Sequence, residues 1–166
     1  MNPCGGAVRC RPYDGVEHVV DRTLRRIDAL RLEGGVAQNL SQVLRELLPL
    51  DEERRVECRV YVAFAARAAS DPSLAAIQKE TQAQLLDGLT ETLLRARADG
   101  LADGLNPPLD PPVDARLLLA VADGLVFDAV SEPDRLPPDQ LTGLLERYLA
   151  RLLPTGQAPS PGSHAR

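Results

Sequence analysis

LPLDEERRVECRVYVAFAARAASDP, residues 48–72, changes character halfway along. From Asp51 to Arg59 it is crowded with charge, whereas from Val60 to Ala69 the one charged residue is Arg67. Asp51 offers an N-cap oxygen, and Glu52 and Glu53 behind it place negative charge where a helix dipole favours it. The Asp71-Pro72 pair closes the segment, because the residue before a proline avoids helical dihedrals. The stretch therefore reads as one helix. At about 100° per residue, Val56, Val60, Ala63 and Arg67 share one face, and Glu57, Tyr61, Phe64 and Ala68 share the adjacent one. Val62, Ala65 and Ala69 cover much of the remainder. A helix this apolar on every side is surrounded by other elements on every side.

The neighbouring segments supply those elements, and all of them carry the helical period, with no sustained strand-like alternation. A first helix runs from about Val16 to Leu32, with Val16, Val20, Leu24 and Ile27 in register and Gly34-Gly35 as its stop. A second runs from Val36 to Leu48, ahead of Pro49. The helix beginning at Pro72 is the longest: Leu74, Ile77, Thr81, Leu85, Leu89, Leu93 and Ala96 form its stripe, and Gly100 stands where a terminating glycine belongs. After the loop ADGLADGLNPPLDPP come VDARLLLAVADGLVFDAV from Val113 and a sixth helix with Leu141, Leu144, Leu145, Tyr148, Leu149 and Leu152 on one broad stripe. These last two carry more apolar surface than one small bundle covers, which points to burial against a second subunit. Leu118, Ala122, Leu125, Leu145, Tyr148, Leu149 and Leu152 are the residues expected at that interface. Mid-helix Gly124 costs about 1 kcal/mol relative to alanine, so it is expected to admit a neighbouring helix.

The fold expected is all-α, one domain over residues 16–153, with a disordered lead-in over 1–15 and a disordered tail over 154–166 that is rich in proline, glycine and small polar residues. With 44% hydrophobic residues but 3% aromatics and no tryptophan, the 166-residue chain must build its core from Leu, Ala and Val, of which Leu and Ala favour helices. A formal charge of -5 supplies no overall positive field toward nucleic acid or an anionic membrane. Cys4, Cys10 and Cys58 lack the paired spacing of a zinc site and read as reduced thiols in a cytoplasmic protein. No run of about 18 apolar residues occurs, and the N-terminus lacks the apolar core of a signal peptide.

Chemistry has few candidates. With His18 and His164 the only histidines, a nucleophilic triad would need a badly placed residue, so no catalytic residue, metal site or cofactor is expected. The helix over 52–69 is more informative. Alanines beside Tyr61 and Phe64 fit either tight helix packing or space for a ligand. Arg67 either extends to the surface or faces that space, where Asp123 would need neutralising by Arg67 or Arg116. The candidate ligand-binding set is Tyr61, Phe64, Arg67, Asp123 and Phe127. The run Asp21-Arg22, Arg25-Arg26 reads as a solvated face with local ion pairs.

LLPLDEERR at 47–55, FAARAASDP at 64–72, the glycine after a long helix at Gly100, ARLLLAVADGL at 115–125 and LLERYLARLL at 144–153, in that order and spacing, resemble the C-terminal domain of TetR-family transcriptional repressors of the BetI-like type. The resemblance implies a homodimer whose last two helices form a four-helix bundle with a second copy. It also implies an unidentified small-molecule effector entering between the central helices, which relieves DNA binding in the intact architecture. Relatives begin with a helix-turn-helix. MNPCGGAVRCRPYDG is too short to form one, so the chain itself is expected not to read DNA unless a longer start or a partner supplies the reader. An interaction protein that pairs with and titrates full-length regulators is the alternative expectation.

Overall fold

A computed structural model describes residues 14–101, 105 and 107–153. The expected lead-in and tail, apart from Asp14 and Gly15, lie outside the described residues, as do Cys4, Cys10 and His164. Among the described residues six helices are formed: α1 (Asp14–Asp28), α2 (Val36–Arg45), α3 (Glu52–Ala68), α4 (Pro72–Ala98), α5 (Pro111–Ser131) and α6 (Pro138–Leu152). None is long and apolar enough to cross a membrane.

Local signals set most of the boundaries. Asp51 caps α3 by accepting the Arg54 backbone N–H at 2.8 Å, and Asp71 caps α4 by accepting from Ser73 N at 2.9 Å with Pro72 in the first turn. Gly100, at φ 71°, closes α4: its N–H reaches the Arg97 carbonyl at 3.2 Å and that of Leu101 reaches Ala96 at 3.0 Å, the paired bonds of a Schellman ending. Two ends differ from expectation. α1 stops at Asp28 because the loop after it is held from outside, where the Asn39 side chain accepts from Gly34 N and donates to the carbonyls of Leu32 and Gly34. α2 tightens after Arg45, with Glu46, Leu47 and Leu48 each bonding three residues back on the approach to Pro49.

α4 is the spine of the domain, packing on α2, α3 and α5, while α1 lies against α3 and α6 closes over α2 and α5. The main core gathers Leu40 and Leu44 from α2, Leu89 and Leu93 from α4, Leu118 and Ala122 from α5, and Leu141, Leu145 and Leu149 from α6. Each fully buried leucine contributes about 1.5–3 kcal/mol by leaving water. A smaller cluster joins Val16, Phe64, Ala68 and Leu74 where α1, α3 and α4 meet.

In this packing the residues expected at the interface take two positions in the single chain. Leu118, Ala122, Leu145 and Leu149 are at most 3% exposed, because α5 and α6 turn those sides into the core of their own chain. Leu125, Tyr148 and Leu152 pack half-buried around it. The apolar residues left outside are Val113, Leu117 and Phe127 of α5 and Leu144 of α6, at 53, 50, 56 and 47% exposure. A methyl group added at Gly124 would meet nothing within 4 Å, so among the described residues no helix uses the space that the glycine leaves.

Candidate functional site

The faces of α3 sort themselves against the order of their polarity. Val56 and Val60 are 51 and 37% exposed, and Ala63 and Arg67 on the same face are exposed too. The adjacent face, Glu57, Tyr61, Phe64 and Ala68, turns inward. The charged half of the helix thus buries a glutamate, and the apolar half sends its arginine to solvent.

Glu57, 6% exposed, is held between two arginines of α1: Arg22 Nε lies 3.1 Å from Oε1 and Arg26 Nη2 2.9 Å from Oε2. These are charge contacts, since neither carboxylate oxygen receives a well-directed hydrogen bond. Arg26 also reaches Glu46 at 3.0 Å, Glu46 lies 3.3 Å from Arg54, and Arg22 pairs with Glu53 nearer the surface. Of the basic run on α1, Arg25 alone keeps to a local surface pair, with Asp21; Arg22 and Arg26 dock the helix onto α3.

Beside this network lies a cavity of about 70 Å³ walled by α1, α3, α4 and α5, with Glu46 and Leu47 from the end of α2. Val20, Leu24, Leu85, Leu119, Ala122 and Val126 give it apolar walls, with Arg26, Glu46, Arg54, Glu57, Tyr61 and Asp123 as polar points. The Tyr61 hydroxyl donates to Asp123 Oδ1 at 3.3 Å and accepts from Gln78 Nε2 at 3.2 Å. Burial, and then the neighbouring Asp123 charge, push the Tyr61 phenol up to about 12, so it stays a donor. Burial also raises Asp123, which the Tyr61 hydrogen bond only partly opposes. Cys58, on the same wall, is raised to about 12 by burial and then by the Glu57 charge, which keeps it an unreactive thiol.

Of the five residues expected to bind ligand, Tyr61 and Asp123 meet on the cavity wall. Phe64 fills the smaller core cluster, while Arg67 and Phe127 face outward. Neither Arg67 nor Arg116 neutralises Asp123, and among the described residues no basic side chain pairs with it. Glu57 and Arg26 were not anticipated at the cavity, nor Gln78 as the partner of Tyr61, although Glu57 stands one turn before Tyr61 on the face already singled out.

An uncompensated carboxylate in this position costs stability. Because the folded state raises the Asp123 pKa, the penalty is present above that pKa and fades as acid protonates the group. Asp123→Asn, which keeps an acceptor for Tyr61, is expected to stabilise the chain by up to about 1 kcal/mol at neutral pH, allowing for the water that still reaches the site. The gain should vanish as the pH falls below the ordinary carboxylate range, near about 4. Urea unfolding at the two pH values measures it; an equal gain at both would mean that charge is not the cause.

Known proteins place the chain. Residues 36–154 match the family described as BetI-type transcriptional repressor, C-terminal. The crystal structure of a transcriptional regulator from Rhodococcus sp. Rha1 is similar at 35% identity and a TM-score of 0.71, over 82% of this chain and 68% of that one. A TetR-family regulator from Rhodococcus sp., at 15% identity and a TM-score of 0.73 over 83% of this chain and 71% of the other, shares the fold. No protein of curated function matches. The chain belongs to the TetR family of transcriptional regulators, with residues 36–154 forming a C-terminal domain of the BetI type.

Proposed function

We propose that this is the effector-sensing and dimerising domain of a transcriptional repressor, in which a small molecule occupies the central cavity and two copies pair through α5 and α6. The observation that carries the reading is the cavity itself, apolar on most of its wall and polar at Tyr61, Asp123 and the Glu57 network. A concave, mostly apolar space with a few fixed polar groups is the usual form of a small-molecule site. Its volume of about 70 Å³ is well below the roughly 300–1,000 Å³ of sites for drug-sized ligands, so the effector is small. Pairing is supported by the outer stripe of Val113, Leu117 and Phe127, with Gly124 leaving room for a close helix. DNA contact would need a helix-turn-helix supplied by a longer start or a partner chain, which ligand binding would then release from its operator in the cytoplasm.

Filling the cavity tests the sensing role. Ala122 is 1% exposed and lines the space, so Ala122→Leu places three carbons into it. Compounds that stabilise the native chain, by about 2.7 kcal/mol at a hundredfold excess over Kd, should leave the filled variant unshifted in thermal melts. Equal shifts in both proteins would place binding elsewhere.

A further inference from the structure

We propose that the cavity selects a primary ammonium on a short apolar body, with the Asp123 carboxylate as its anchor. The inference rests on the reading of the cavity as the effector site.

The charges on the wall carry the argument. Three carboxylates and two guanidiniums line the space. Glu46 lies between Arg26 and Arg54, and Glu57 between Arg26 and Arg22, so both have their cations already. Asp123 does not. Its Oδ1 takes the Tyr61 hydroxyl, whereas Oδ2 accepts no hydrogen bond from the described residues. Tyr61 in turn has its oxygen filled by Gln78. Other acceptors line the cavity, Glu57, Thr23, Thr81 and Gln84 among them, but among the described residues Asp123 is its carboxylate without a counter-charge, and Leu119 and Val126 from its own helix and Leu85 from α4 line the same space.

Each ligand class meets this wall differently. An alcohol can donate to Oδ2 but leaves the charge uncompensated, and a carboxylate sets like charge against it. A quaternary ammonium brings charge but no N–H, with four carbons around the nitrogen in a space of about 70 Å³. A primary ammonium supplies charge and donor together, and a charge-assisted hydrogen bond is roughly twice as strong as a neutral one.

Four compact probes separate the possibilities: propylammonium, propan-1-ol, propionate and tetramethylammonium, titrated into the whole chain while the methyl NMR signals of Leu85, Leu119 and Val126 are followed. Propylammonium is expected to bind at least about tenfold more tightly than the other three. In Asp123→Asn that preference for propylammonium over propan-1-ol should disappear. Equal binding of propan-1-ol, tighter binding of propionate or tetramethylammonium, or a preference surviving in the variant would overturn the assignment and leave the cavity as a ligand site. Unmoved methyl signals with all four probes would overturn both.

Discussion

Glu57→Ala is expected to destabilise the chain by about 3 kcal/mol and to lower its melting temperature by roughly 10 °C. Removing one partner of a buried pair typically costs about 3–5 kcal/mol, because the other charge stays behind without compensation. Here two arginines stay behind, but their side chains are 36 and 26% exposed and each keeps a second carboxylate, Glu53 for Arg22 and Glu46 for Arg26. The low end of the range therefore applies. Arg25→Ala provides the contrast, since its pair with Asp21 lies in solvent at 65 and 60% exposure and is worth well under about 1 kcal/mol. Because Arg22 and Arg26 both belong to α1, the loss should be concentrated there, as faster amide exchange along Asp14–Asp28 than along α4. A Glu57 variant no less stable than the Arg25 variant would show that α1 is held by Val16 and its apolar neighbours instead.

The same residue marks where the sequence stopped being legible. Caps are local chemistry: Asp51, Asp71 and Gly100 announced their helix ends because the groups they satisfy lie within a few residues. The premature end of α1 was hidden because the groups that hold its loop come from Asn39, in the next helix. Faces posed a different difficulty. A helical wheel places Glu57 and Val56 on adjacent faces of α3 but does not say which one meets α1 and α4, and polarity gives the wrong answer when arginines on another helix provide the partners. On α5, Asp123 and Phe127 stand about 40° apart on the wheel, yet one reaches the cavity and the other solvent. Tyr61 and Asp123 were recognisable as polar groups stranded among apolar ones, while the Gln78 link between α4 and Tyr61 needs three dimensions to be seen.

Under the proposed pairing, the native chain should sediment at about twice 17.9 kDa, and Leu117→Arg combined with Phe127→Arg should sediment at 17.9 kDa with its helical content intact. Both side chains stand half in solvent in the single chain, so arginine there disturbs no core packing. Val113, Leu117, Gly124 and Phe127 recur at helical spacing along one side of α5, opposite the side that carries Leu118, Ala122 and Val126 into the core. Leu144 adds the outer face of α6, and a two-fold axis would bring each patch onto its own copy, so that every substitution is introduced twice. Desolvating four unpaired guanidiniums should weaken association by at least about a thousandfold, or roughly 4 kcal/mol. Val56→Arg supplies the matched control: it is 51% exposed on the outer face of α3 and should leave the dimer unchanged. A native chain that is monomeric at micromolar concentration would remove the pairing altogether. Dissociation by the Val56 variant alone would move the interface to α3, and with it the route by which a change in the cavity reaches a second copy.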